Sequence, residues 1–121
     1  MPTQTLTSES IEATIRDNGI VILDFWASWC GPCRSFAPIF EQASEKHADV
    51  VFGKINTEEE EGLAGTLEIR SIPTIMIFRD QILVYREPGA LPGKALDDLL
   101  TQVKALDMDH VRSEIAKQPQ T

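Results

Sequence analysis

The two cysteines of the chain stand three positions apart, at the junction between a strand-like and a helix-like segment. They form Cys30-Gly31-Pro32-Cys33, and the sequence holds no other cysteine. The apolar run Ile20–Trp26 precedes them and predicts a central strand that is covered on both faces. A run with helical spacing follows, from about Pro32 to His47. Two thiols at such a junction can form and break one short disulfide, so the pattern favours dithiol–disulfide exchange.

The other segments predict a single α/β domain. Their order is helix, strand, helix, strand, helix, hairpin, helix, and 121 residues suit one domain. This order predicts a mixed central sheet flanked by helices, with parallel first strands and an antiparallel final hairpin. The predicted elements are a first helix capped by Thr7 or Ser8 and ending at Asn18-Gly19, a strand at Val50–Ile55, a third helix opened by a Thr57/Glu60 capping box, hairpin strands at Ile75–Phe78 and Ile82–Tyr85, and a last helix from Pro92.

Charge and composition bear on partners and location. The chain has 11 Lys and Arg against 19 Asp and Glu, a net charge of −8, which repels phosphate backbones and anionic lipids. We therefore expect neither nucleic acid nor membrane as a partner. The first residues lack the basic start and apolar core of a signal peptide, so we expect a cytoplasmic protein, and we expect a monomer.

The order of the two cysteines predicts their roles. A thiolate at a helix N-terminus is favoured by the helix dipole and by unpaired backbone N–H groups, which makes Cys30 the nucleophile. Cys33 lies one turn later and can attack Cys30 to resolve a mixed disulfide. Pro32 presets the backbone of the first turn and lacks an N–H that would be unpaired there. A zinc site is the structural alternative, but it needs two more ligands, and His47 and His110 are far apart and outside any zinc-finger spacing, so we expect no metal.

Asp24 is the one charged residue inside the apolar run. A carboxylate in a covered strand is desolvated, so we expect a raised pKa and a role as proton acceptor for Cys33. The alternative is an Asp at a strand end that reaches solvent. Lys54, on the second strand, is either a neighbouring charge that moderates this shift or a surface lysine.

Several segments together resemble the thioredoxin family, over roughly Leu6 to Leu106. The segments that carry the resemblance are Val21–Arg34 with its Trp-Cys-Gly-Pro-Cys core, Pro38, Lys54-Ile55-Asn56, Ile69–Thr74 and Gly89-Ala90. The resemblance implies the thioredoxin fold and protein-disulfide reduction through a redox-active Cys30–Cys33 disulfide. It also implies electrons from NADPH through thioredoxin reductase, and no bound cofactor.

The resemblance further implies a substrate-binding rim. The proline matching Pro73 is expected to be cis and to face the cysteines, and Ile72 to offer its backbone to an extended substrate strand. Trp29, Gly89 and Ala90 would border the same groove. Trp29, Gly31, Pro32, Pro73 and Lys54 are the expected supporting residues. We interpret Trp26 as a core aromatic and Trp29 as a surface residue of the site.

The chain also departs from the family pattern. Ser71 replaces a common glycine, Pro88 precedes Gly89, Gly53 interrupts a strand, and the hairpin turn Asp80-Gln81 lacks the usual glycine. We assign residues 1–106 to the domain and 107–121 to a C-terminal extension, either a short helix with Val111 and Ile115 on one face or a tail frayed at 118–121. The departures leave two other hypotheses open: a specialised reductase with a narrow target, and a binding subunit on the same scaffold.

Overall fold

The computed structural model describes residues 2–118. A five-stranded sheet has the order β1-β3-β2-β4-β5. The elements are β1 (Thr3–Thr5), α1 (Ile11–Asp17), β2 (Ile20–Trp26), α2 (Gly31–Lys46), β3 (Val51–Asn56), α3 (Glu61–Thr66), β4 (Thr74–Arg79), β5 (Ile82–Pro88), α4 (Gly93–Ala105) and α5 (Met108–Ala116). Among residues 2–118, no helix combines the length and apolar surface needed to cross a membrane.

Strand β2 is the centre of the sheet. It pairs in parallel with β3 and antiparallel with β4 along almost its whole length. Its five inner residues are buried, which explains why Ile20–Trp26 is apolar at consecutive positions rather than at alternate ones. The predicted mixed sheet is confirmed, since β1 and β3 are parallel to β2 while β4 and β5 form the antiparallel hairpin.

The helices cover both faces of the sheet. On one face, α2 and α4 enclose a cluster that includes Ile22, Phe36, Phe40 and Leu100. On the other face, α1 and α3 cover a second cluster that includes Leu23 and Phe25. Alternate residues of β2 therefore supply alternate cores. The predicted α/β architecture with helices on both faces is confirmed.

The capping residues predicted for α1 and α3 are both wrong. Helix α1 begins at Ile11 with Ser10 as its N-cap residue, rather than after Thr7 or Ser8. Thr57 and Glu60 do not form a capping box. The Thr57 hydroxyl donates to the Trp26 carbonyl at 3.1 Å, the Glu60 carboxylate accepts from the Ser8 N–H at 2.8 Å, and α3 starts only at Glu61. For Thr57 and Glu60, hydrogen-bond partners distant in sequence replace the local partners of a capping box.

The hairpin turn adopts the left-handed backbone that normally selects glycine. Asp80 has φ 50° and Gln81 has φ 69°, as a two-residue hairpin connection requires. The sequence pattern nonetheless located the turn correctly, between strands at Thr74–Arg79 and Ile82–Pro88.

Strand β1 was absent from the sequence prediction. It has only three residues, all polar or half exposed, and pairs with the edge of β3. Its pairing brings Leu6 against Gly53. A Cβ at Gly53 would clash with the Leu6 Cδ1 atom and lie 3.0 Å from its Cγ and 3.2 Å from Leu23 Cδ2. The glycine inside β3 is explained by this close approach.

The segment after Leu106 forms helix α5. The Asp107 side chain caps it by accepting the His110 N–H at 3.2 Å, and Met108 is buried at its start. Val111 is half-buried and Ile115 is 42% exposed, so the predicted short helix packs only at its beginning. The predicted frayed tail falls largely on residues 119–121, which lie outside the described residues. The division of the chain at residue 106 stays a prediction.

We predict that Gly53→Ala lowers the free energy of unfolding by about 1–3 kcal/mol, because the new methyl group overpacks against Leu6 and Leu23. Gly62→Ala is the matched control. Its Cβ meets no atom within 4 Å, and it lies in α3, so alanine should raise stability by up to about 1 kcal/mol. Urea unfolding of both variants checks this; a Gly53→Ala variant as stable as wild type would contradict the packing given for β1.

Candidate functional site

The two cysteines meet at the N-terminus of α2. Cys30 is the N-cap residue of this helix and Cys33 lies in its first turn, with Cα atoms 5.2 Å apart and the sulfurs joined in a disulfide. The Cys33 N–H donates to the Cys30 Sγ at 3.2 Å. Helix N-terminal N–H groups stabilise negative charge, so this position favours a thiolate on Cys30 when the disulfide is open. Both cysteines are nearly enclosed, at 4% and 3% exposure.

The loop before Cys30 is held from two sides. Glu58 accepts hydrogen bonds from the Ser28 N–H at 3.1 Å and the Ser28 hydroxyl at 2.8 Å. Arg34 donates to the Ser28 carbonyl at 2.9 Å, which ties the same loop to α2. Trp29 projects from this anchored loop and is 68% exposed, as expected for a surface residue of the site.

Asp24 lies inside the sheet on the face covered by α2. It follows Ile22 by two residues on β2, and Ile22 packs in the α2–α4 cluster, so the Asp24 side chain points the same way. Asp24 is 1% exposed, and neither of its carboxylate oxygens has a hydrogen-bond partner among residues 2–118. The alternative of an Asp reaching solvent is therefore excluded. Desolvation raises the pKa of Asp24 to about 7 despite the opposing positive charge of Lys54.

Lys54 lies beside Asp24 on the neighbouring strand. The two residues are partners in the register of β2 and β3, and the Lys54 ammonium lies 5.1 Å from the centre of the Trp26 ring. Cation–π attraction holds the charge over this ring. Lys54 lowers the pKa of Asp24, as the first of the two sequence interpretations expected, but by less than burial raises it. Trp26 is half-buried, with the Lys54 ammonium over its ring, rather than fully buried in the core, which corrects its interpretation as a core aromatic.

The segment before β4 completes the surroundings of Cys30. The Ile72–Pro73 peptide bond is cis, as the family resemblance implied. The carbonyl oxygen of Ile72 lies 3.7 Å from the Cys30 Sγ. Pro73 accepts a hydrogen bond from the Gly89 N–H at 2.7 Å, and Gly89 has φ 101°, which suits glycine. Gly89 and Ala90 are both exposed.

The structure thus brings the cysteines, Trp29 and Ile72–Pro73 to one end of the sheet, with Gly89 bonded to Pro73. Gly31 and Pro32 lie in the first turn of α2, between the cysteines. Sequence reasoning missed Glu58, which it placed only in a run of acids at a helix start. Its bonds to Ser28 span 30 residues, and no local pattern encodes them. Within residues 2–118, no group of three or more His, Cys, Asp or Glu side chains is arranged to hold a metal ion.

Comparison with the sequences of known proteins points to one family. The thioredoxin family model matches residues 2–104. A thioredoxin-type protein of Streptomyces coelicolor is 50% identical over 113 residues, which is 93% of this chain and 84% of the relative. The thioredoxin of Alicyclobacillus acidocaldarius is 38% identical over 102 residues, covering 84% of this chain and 97% of the relative.

Solved structures agree with the sequence relatives. Chloroplastic thioredoxin z superposes with a TM-score of 0.81 at 30% identity, over 88% of this chain and 97% of the other. A thioredoxin variant from Halobacterium salinarum gives a TM-score of 0.78 at 30% identity, over 86% and 92% of the two chains. With a Cys-x-x-Cys pair in a disulfide at the start of α2, the chain belongs to the thioredoxin family and is a thiol–disulfide oxidoreductase.

Proposed function

We propose that this protein is a general reductant of protein disulfides, in which Cys30 attacks and Cys33 resolves. The observation that carries the proposal is the position of Cys30. It is the N-cap residue of α2, where a thiolate is favoured, and its sulfur lies 3.7 Å from the carbonyl oxygen of Ile72. Cys33 is one turn further along the same helix and has its N–H on the Cys30 sulfur.

The reaction runs in two exchanges. The Cys30 thiolate attacks one sulfur of the substrate disulfide, forms a mixed disulfide and releases the other sulfur as a thiolate. Cys33 then loses its proton and attacks the Cys30 sulfur, which releases the second substrate thiolate and forms the Cys30–Cys33 disulfide. The substrate gains two electrons and the enzyme loses two, so the disulfide form described above is the oxidised form that remains after one turnover.

Asp24 is the proposed proton acceptor for Cys33. Its carboxylate lies on the sheet face beneath the helix that carries Cys33, and its pKa of about 7 suits proton transfer near neutral pH. Lys54 is the supporting charge, since it keeps this pKa from rising further. Because Asp24 is only 1% exposed, bulk water cannot easily reach this region to take the proton of Cys33.

The proposed substrate rim consists of Trp29, Ile72, Pro73, Gly89 and Ala90. An extended substrate segment beside Cys30 can pair with the backbone of Ile72, which lies next to the sulfur. Trp29, which precedes Cys30 in the chain, offers a large exposed ring, and such a ring is a favourable surface for apolar substrate side chains.

The electron source and location belong to the same proposal. We infer recharging by NADPH through thioredoxin reductase, and action in the cytoplasm as a monomer, on residues 1–106 with 107–121 as an extension. Family membership supports the first of these, because thioredoxins are typically recharged in this way.

The division of labour between the cysteines predicts distinct trapping behaviour. Cys33→Ser should accumulate mixed disulfides, because no second thiol resolves them, and a tagged variant in cell extract should capture many proteins. Non-reducing gels followed by mass spectrometry measure this. Capture of a single dominant protein would favour the narrow-target reductase instead.

Cys30→Ser is the matched control. It removes the attacking sulfur and leaves Cys33 in place, so it should capture no partners and should reduce insulin with dithiothreitol no faster than dithiothreitol alone. Full insulin reduction by Cys30→Ser would refute the assignment of the nucleophile.

Burial of Asp24 predicts a pH-dependent stability. The pKa of Asp24 is about 7 in the folded protein and 3.8 when solvated, so the folded state holds a proton that the unfolded state has lost between these values. Stability therefore falls as pH rises from about 4 to 7, by an amount on the order of a few kcal/mol. Asp24→Asn should abolish this decline and be the more stable protein at pH 8. Urea unfolding at pH 4 and pH 8 tests it, and equal stability of both proteins at pH 8 would contradict it.

The charge of Lys54 predicts the direction of a pH shift in turnover. Lys54→Met removes the cation that lowers the pKa of Asp24, so the pH midpoint of insulin reduction should move upward. Lys117→Met is the control, since Lys117 lies at the end of α5 and is largely exposed. Asp24→Asn should slow resolution at neutral pH. Unchanged pH profiles in both the Asp24 and Lys54 variants would remove this pair from the mechanism.

A further inference from the structure

A cleft with two arginines opens beside the site. It has a volume of about 250 Å³ and is lined by Glu68, Arg70, Ser71, Thr74, Arg86 and Pro88. None of these residues has a role in the exchange chemistry derived above. The volume suits one or two side chains of a polypeptide rather than a cofactor.

The cleft adjoins the proposed substrate-binding backbone. Ser71 and Thr74 flank Ile72–Pro73 in the chain, and Thr74 pairs with Pro88 in the hairpin register. The Ile72 carbonyl lies 3.7 Å from the Cys30 sulfur. Because Ser71 is adjacent to Ile72 and consecutive Cα atoms are about 3.8 Å apart, we expect a substrate side chain within about three residues of the reacting cysteine to reach the cleft.

The charges of the cleft are positive on balance. Two guanidinium groups, of Arg70 and Arg86, face one carboxylate, of Glu68. Arg86 donates one N–H to the Glu68 carbonyl at 2.9 Å, which fixes its position and leaves other donors of the group for a ligand. Arg70 approaches the Glu68 carboxylate only at 3.5 Å, with both side chains mostly exposed, so a ligand carboxylate can replace that contact at small cost.

We propose that this cleft is a specificity subsite that binds an acidic side chain of the substrate, near the substrate cysteine. The inference rests on the proposed function and adds a substrate preference to it. A planar guanidinium matches a carboxylate in a two-point hydrogen bond, which makes Arg70 and Arg86 suitable partners. The two arginines give the cleft a local positive charge on a chain with a net charge of −8, whose overall field disfavours acidic substrates.

Paired peptide substrates test the proposal. The probes are disulfide-linked dimers of a short single-cysteine peptide, carrying Glu or Gln at each of the three positions on either side of the cysteine. With dithiothreitol as reductant, kcat/KM for at least one Glu peptide should exceed that of its Gln counterpart by about two- to fivefold at low salt. The ratio should fall towards one as salt screens the charges.

Three variants make the test specific. Arg70→Ala combined with Arg86→Ala should bring the Glu/Gln ratio to one or below, whereas Glu68→Gln should raise it by removing a competing carboxylate. Arg16→Ala should leave the wild-type ratio intact, since Arg16 is an exposed residue of α1 that does not line the cleft. Arg70→Ala alone repeats the test with a side chain that is 83% exposed, so failure to fold does not obscure the result.

The outcomes separate this proposal from the one it rests on. If no Glu peptide is preferred by wild type, or if the arginine variants keep the preference, the subsite is refuted while the reductase stands. If neither Glu nor Gln peptides are reduced faster than by dithiothreitol alone, the proposed function itself fails.

Discussion

The buried carboxyl group of Asp24 is the physical constraint on which the proposed chemistry of the site depends. It sits in the central strand, 1% exposed, with no hydrogen-bond partner among residues 2–118. Burial penalises its charged form and raises its pKa to about 7, while Lys54 opposes the shift from the next strand. An uncompensated carboxyl group of this kind weakens a fold, and such groups concentrate at functional sites.

Strand β2 can accommodate this buried carboxyl group because strands pair with both of its edges and hydrophobic clusters cover both of its faces. It pairs with β3 and β4, and its buried neighbours Leu23 and Phe25 fill the opposite core. The same strand leads directly into the loop that ends at Cys30, the N-cap of α2. One strand therefore places both Asp24, the proposed proton acceptor, beneath the helix and Cys30, the proposed nucleophile, at its start. The bonds from Glu58 and Arg34 to Ser28 then fix the short connection between them.

The sequence was most informative where burial dictates residue type. Ile20–Trp26 was predicted to the residue, because a short, β-branched run that is apolar at consecutive positions favours a strand covered on both faces. Prediction from sequence failed where distant partners replace local ones: Glu60 accepts from the Ser8 N–H instead of pairing with Thr57 in a capping box. The strand Thr3–Thr5 could not be predicted, because a short polar edge strand has no hydrophobic pattern. The Cys30–Cys33 pairing and the burial of Asp24 were predicted from sequence, whereas no local sequence pattern encodes the contact of Glu58 with Ser28 or the arginine cleft.

A desolvated carboxyl group beneath α2 should exchange its proton near neutral pH. This exchange can be measured directly by following the side-chain carboxyl carbon of Asp24 in a pH titration by ¹³C NMR, with the Cys30–Cys33 disulfide intact. We expect a midpoint of about 7 for this resonance. A midpoint near the ordinary value of 3.8 would show that Asp24 is solvated and fully charged at neutral pH, and would rule it out as the proton acceptor.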